Sequence, residues 1–184
     1  MTNNVDADER ALLLAVRPRF AQAILNGDKT VELRRQRPVI AANAPVFLYA
    51  SSPTKALVGS AWLAAVDVGS PDQVWDMHGP ASGIDRSEYD GYFHGAHIAV
   101  ALTLTAVMSL PDPVSLSELR AEYALEPPQS YRFIDATRSR RLLAPRDTVP
   151  RQPVQTGRGP SAVGHLSSPL LPGFPPAAHC PRLG

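Results

Sequence analysis

The segment Ala11–Arg35, ALLLAVRPRFAQAILNGDKTVELRR, decides the fold because its apolar period changes twice within one short stretch. Ala11–Val16 is a continuous apolar run closed by Arg17-Pro18, a pattern that fits a buried strand better than a helix. Pro18 suits the first turn of a helix, where its missing N–H costs no bond. Phe20, Ala21, Ala23, Ile24 and Leu25 continue it as an apolar helical stripe. Asn26-Gly27 is the stop, since glycine enters the left-handed conformation without a side-chain clash. Thr30–Arg34 then alternates, with Val31 and Leu33 on one face and Thr30, Glu32 and Arg34 on the other. The segment therefore predicts strand, helix, turn and strand.

Further along, Val46–Ala50 is a third strand, ended by Ser51-Ser52-Pro53. Ala56–Val68 is a long fourth strand that Gly59 allows to bend. The polar stretch from Ser70 to Phe93 is broken by Pro71, Gly79, Pro80, Gly83 and Gly91, with short helices expected about Asp72–Met77 and Asp85–Tyr92. His97–Leu110 is rich in β-branched residues and is expected to stop at Pro111-Asp112-Pro113. Ser115 with Glu118 three residues later forms a capping box that opens a last helix. About five strands, with helices inserted between them rather than strictly alternating, predict an α+β fold. The expected form is a small β-barrel with short helices at its periphery.

The full chain of 184 residues suits one domain and a tail. Its 18 Lys+Arg against 17 Asp+Glu exclude a uniformly basic nucleic-acid coat, and its single cysteine excludes a disulfide scaffold or a cysteine-cluster metal site. No apolar run approaches the ~20 residues of a membrane span, and the acidic start is unlike a secretory signal, so a cytoplasmic protein without membrane partners is expected. The near-neutral average conceals an asymmetry: residues 1–135 carry 11 Lys+Arg and 16 Asp+Glu, whereas residues 136–184 carry 7 Arg and 1 Asp with 9 Pro and 5 Gly. Such a composition buries too little apolar surface to offset its ordering entropy. The expected organisation is a flexible leader over 1–10, a folded domain over 11–135 and a disordered Pro/Arg-rich tail over 136–184.

The chemistry concentrates at the helix stop. Gly27 delivers Lys29 into a turn, and the next strand sets Thr30, Glu32 and Arg34 at a two-residue period on one wall. In a barrel mouth, Lys29 and Arg34 would hold an anion or a base edge, while Glu32 accepts from an exocyclic amine. Burial and charged neighbours would also fit Glu32 for general-base work. On a solvated face the same residues would form only a surface ion pair worth under ~1 kcal/mol. Other signals are poorer. His94 and His97 lack a third ligand, so no metal is expected. Cys180 has no activating partner, Ser51 and Ser52 lack a nucleophile-elbow context, and Trp62 and Trp75 read as core. No phosphate-binding loop or dinucleotide fingerprint follows Gly27, so no cofactor is expected.

The block LLLAVRPRFAQAILNGDKTVELRRQRP resembles the start of ASCH domains, whose hallmark is a G-x-K-x-x-E-x-R turn and strand after a short helix; Gly27, Lys29, Glu32 and Arg34 match it position for position. VFLYASSPTKALVG (Val46–Gly59), EYDGYFHGAHIAVAL (Glu88–Leu102) and PPQSYRFID (Pro127–Asp135) extend the likeness to about Ala11–Asp135. These stretches look like the ASCH proteins often labelled predicted transcriptional regulators. The resemblance implies a PUA-like barrel, with a binding cleft beside the helix and the K-x-x-E-x-R strand. It makes Lys29, Glu32 and Arg34 the first ligand-binding candidates, with Thr30 on the same strand face and Tyr49 and Ser51 at the end of the next strand. Tyr49 or Tyr92 would stack on a base, as RNA readers stack unpaired bases on aromatic rings. One enzymatic branch of the family hydrolyses acetylated cytidine with a Lys, Thr and Glu set. Its Thr falls where this chain has Glu32, so that activity does not transfer. The leader is too short and the tail too Pro-rich for the helix-turn-helix that accompanies some relatives.

Two main readings follow. The preferred one is a binding module for RNA or a modified nucleotide, in RNA metabolism or control of gene expression. The other is a hydrolase of the same fold, acting on a modified nucleoside or on RNA with Lys29 and Glu32 as acid/base residues. In a third, the cleft receives a protein partner.

Overall fold

The computed structural model describes residues 10–144; the expectations for residues 1–9, for Cys180 and for the tail from 145 onward fall outside the described residues. Eleven elements follow in order: β1 Ala11–Val16, α1 Pro18–Asn26, β2 Val31–Arg34, β3 Pro45–Ala50, β4 Ala56–Gly69, α2 Pro71–His78, α3 Arg86–Phe93, β5 Ala99–Ser115, α4 Leu116–Tyr123, β6 Tyr131–Ile134 and α5 Ala136–Leu143. A short 3-10 turn over Gly79–Ala81 joins α2 to the loop before α3.

The strands form one sheet in the order β2-β5-β4-β3-β1-β6. β1 and β3 run parallel and the other pairs antiparallel. The sheet curls into a half-barrel whose free edges are β2 and β6. Period-two alternation decides what fills it. Leu12, Leu14 and Val16 of β1, Val46, Leu48 and Ala50 of β3, Leu63 of β4, and Val100, Leu102 and Leu104 of β5 form the inner core. α1 closes this core with Ala21 and Ile24, and burying a side chain such as Ile24 is worth about 1.5–3 kcal/mol. The alternate residues serve other layers: Leu13, Phe47 and Tyr49 pack outward under α4 and α5, while Val31, Leu33, Ala99 and Ala101 pack under α2 and α3.

The segment that predicted the fold behaves as its sequence requires. α1 begins with Pro18 and ends where Gly27 adopts φ 84°, its N–H donating to Ile24 O. Gly59 lies at an interruption of the β3–β4 and β4–β5 registers. An added Cβ there would stand 2.5 Å from Leu25 Cδ2 and 2.7 Å from Met108 O, so glycine permits the close approach of α1 and β5. The Ser115 capping box is present at α4.

Four expectations need correction. β5 does not stop at Pro111: the step Leu57–Gly59 on β4 faces the longer step Ser109–Val114 on β5, so the prolines occupy a bulge and pairing resumes at Val114. A sixth strand, Tyr131–Ile134, pairs with β1 through the short alternation YRFI. The first residues assigned to the disordered tail form α5, because Asp135 accepts from Arg138 N as an N-cap and Leu142 has an apolar layer to enter. Trp62 is 39% exposed, since it points away from the face that Ala61 and Leu63 bury.

Candidate functional site

β2 places its charges unusually. Glu32 pairs in register with Leu102 and Arg34 with Val100, and both partners belong to the inner core. Cross-strand partners share a face, so the Glu32 carboxylate and the Arg34 guanidinium project into the half-barrel, while Val31 and Leu33 face out toward α2 and α3. Lys29 joins them from the turn, where its backbone N–H donates to Ala23 O. All three are almost completely withdrawn from solvent: Lys29 is 2% exposed, Glu32 7% and Arg34 6%.

Glu32 divides its carboxylate between the cations, Oε2 standing 3.3 Å from Lys29 Nζ and Oε1 2.9 Å from Arg34 Nη2. Lys29 Nζ also donates to Ser82 O and lies 5.1 Å from the centre of the Phe20 ring. Gly83, at φ 67°, holds the adjoining loop against the Lys29 stem, where an added Cβ would come within 3.3 Å of Lys29 Cβ. Burial pushes the Lys29 ammonium below its ordinary 10.5, with Glu32 and Glu88 opposing the shift and Arg34 adding to it. Arg34 spans the gap between the sheet edges: Nη2 donates to Ala15 O of β1 at 3.0 Å and Nη1 to Ser130 Oγ, next to β6, at 3.3 Å. Its Nε is buried without a hydrogen-bond partner among the described residues.

These groups line a cavity of about 690 Å³ at the open seam, within the range of about 300–1,000 Å³ that holds small ligands. β2 contributes Glu32, Leu33 and Arg34, and β1 contributes Ala15 and Val16. Pro128, Gln129 and Ser130 supply the wall before β6, while Arg17, Phe20, Glu88, Gly91 and Tyr92 supply the helical side. Tyr92 is 41% exposed at the lip, and burial raises its hydroxyl pKa against the influence of Arg34. Arg35 donates to the carbonyls of Tyr92 and His94, tying the end of α3 to the end of β2. Glu88 accepts from Arg19 and lies 3.8 Å from Arg17. Of its acidic neighbours, Asp85 caps α3 and Asp90 holds Arg86.

Of the residues singled out from sequence, Lys29, Glu32, Arg34 and Ser51 meet at this cavity, and Tyr92 joins them. Thr30 does not. It precedes the strand, so the two-residue alternation does not yet hold; its N–H donates to Ala81 O, its carbonyl accepts from Leu104 N and its residue is exposed. Tyr49 does not either, because Val46, Leu48 and Ala50 take the inner face and leave Phe47 and Tyr49 outside, with Leu57 and Leu119. Ser130 and Gln129 carry no role assigned from sequence, although they lie inside the stretch PPQSYRFID.

The ASCH domain model matches residues 14–108, and the chain belongs to the ASCH domain family. It is 31% identical over 138 residues to an ASCH domain-containing ribonuclease of Zymomonas mobilis, covering 74% of this chain and 93% of that protein. The crystal structure of ASCH from Zymomonas mobilis superposes with a TM-score of 0.69, covering 74% of this chain and 95% of that one at 31% identity. A large ribosomal subunit protein uL22 of Ureaplasma parvum is 30% identical over 108 residues, 58% of this chain but only 34% of that protein.

Proposed function

We propose that this domain binds RNA, receiving a nucleotide unit in the seam cavity. The observation that carries this reading is the buried Lys29–Glu32–Arg34 group lining a cavity whose lip presents the exposed ring of Tyr92. The group offers donors from Lys29 and Arg34 and a carboxylate acceptor, and Tyr92 offers a stacking surface for an unpaired base. The ribonuclease relative supports a role toward RNA. Residues 1–135 are acidic overall, so affinity comes from this local cluster rather than a broad positive field.

That relative's name favours a second reading, in which the cavity also cleaves the bound strand. The RNA 2′-hydroxyl then attacks the adjacent phosphorus as the bond to the 5′-oxygen breaks. Glu32 takes the hydroxyl proton, Lys29 delivers one to the departing oxygen and Arg34 holds the phosphoryl charge. Fluorescence-labelled single-stranded RNA separates the two. Binding that weakens about tenfold or more in Lys29→Ala with the strand intact supports recognition alone. Shortened products that disappear in a folded Glu32→Gln variant support cleavage. Equal RNA affinity of wild type and a folded Lys29→Ala overturns the site.

A further inference from the structure

The charges of the cavity do not cancel. Arg17, Lys29 and Arg34 face only Glu32 and Glu88 among the lining side chains, and Glu88 is shared with Arg19 outside it. Within the buried group, two cations divide one carboxylate. Arg34 adds a second indication: it is 6% exposed, both terminal nitrogens are engaged, and yet its Nε has no hydrogen-bond partner among the described residues. A buried donor left unpaired carries a desolvation cost that an incoming acceptor removes. A neutral base would leave the excess charge in place, whereas an oxyanion meets it. The pull of Arg34 on a phosphate is therefore that of its charge, since its fork is already held by Ala15, Ser130 and Glu32.

We infer that the cavity takes one phosphate group of the RNA strand against Arg34 and Lys29, with the adjoining base on the ring of Tyr92. The preferred small ligand is thus a nucleotide rather than a nucleoside. The inference rests on the RNA reading and sharpens it, because it assigns the interior to the phosphate and the lip to the base. Glu88 sets a limit on the anion: its carboxylate stands in the same lining, so a single phosphate suits the site better than a run of them.

The test uses the full chain, titrated calorimetrically with uridine, uridine 5′-monophosphate, the other three nucleoside and monophosphate pairs, and a single-stranded RNA oligonucleotide. Gly91 supplies a probe that leaves the buried group untouched. It lines the cavity from α3, and a Cβ added there meets nothing within 4 Å, so the first side-chain carbon of Gly91→Gln or Gly91→Glu has open space, and the two variants differ only by a charge. The expected result is that monophosphates bind about tenfold or more tightly than their nucleosides. Gly91→Glu is expected to weaken monophosphate and RNA binding about tenfold relative to Gly91→Gln while nucleoside binding is the same in both. Where monomers bind too weakly to measure, the oligonucleotide carries the same Glu-against-Gln comparison. Equal affinity of monophosphates and nucleosides, or of the two Gly91 variants for phosphate-bearing ligands, overturns the inference while RNA binding itself stands. Failure of the wild-type chain to bind the oligonucleotide overturns both.

Discussion

Arg34 and Ala15 belong to strands that no ladder joins, yet Arg34 Nη2 donates to the Ala15 carbonyl at 3.0 Å. A side chain thereby spans the seam of the half-barrel beside the cavity. The same guanidinium reaches Ser130 Oγ and Glu32, so the edge strand β2 is tied to β1 and to the approach to β6 through one residue.

Replacing Arg34 by Lys keeps the charge and loses the fork. Hydrogen bonds to charged groups contribute about 1.5–3 kcal/mol each, and a lysine reaches fewer of these acceptors. Arg34→Lys is expected to lower stability by about 2 kcal/mol and to speed amide exchange in Val31–Arg34 more than in β3. Unchanged exchange in β2 contradicts the bridging role.

Glu32→Gln strips the counter-charge from two buried cations. Breaking a buried ion group by removing one member costs about 3–5 kcal/mol. Thermal unfolding is expected to drop by on the order of 10 °C, a shift a solvated ion pair does not produce. A change of a degree or two places Glu32 energetically on the surface, against its 7% exposure.

Lys29 carries a pH signature with a definite sign. Its folded-state pKa lies below the ordinary 10.5, so between those values the unfolded chain binds more protons and stability rises with pH. The charged and titratable groups around it are Glu32 and Arg34 on β2 and Glu88 on α3. Wild type is expected to gain on Lys29→Met as pH climbs toward 10.5, measured by denaturant unfolding. Parallel curves contradict the depressed value.

Tyr89 has the opposite sign. Burial pushes its hydroxyl up to about 12, and that hydroxyl donates to Pro71 O at 2.7 Å, joining α3 to α2. Its contribution is complete below the ordinary value of 10.0 and is lost as pH rises toward about 12. Tyr89→Phe is expected to be less stable at neutral pH and to show a shallower alkaline loss. An identical alkaline slope contradicts this assignment.

Much of the candidate site is legible in Ala11–Arg35, because a strand, a glycine-stopped helix and a second alternating strand bring Lys29, Glu32 and Arg34 close together in the chain. The alternation placed Glu32 and Arg34 on one face, but it did not show whether that face was inside. The inward direction comes from register with Val100 and Leu102, a long-range pairing that local pattern does not encode. Tyr49 was misplaced for the same reason, since its strand is apolar on both faces and the pattern cannot tell which layer each face meets. β6 and α5 are not legible locally, because YRFI is short and ATRSRRLL sits beside a Pro/Arg-rich tail; both gain their order from layers built elsewhere in the chain.

The most direct measurement is a crystal structure of the chain bound to a short single-stranded RNA. The expected complex has a nucleotide in the seam cavity, its phosphate beside Arg34 and its base against Tyr92. RNA seated on another face, with the Lys29–Glu32–Arg34 group untouched, contradicts it.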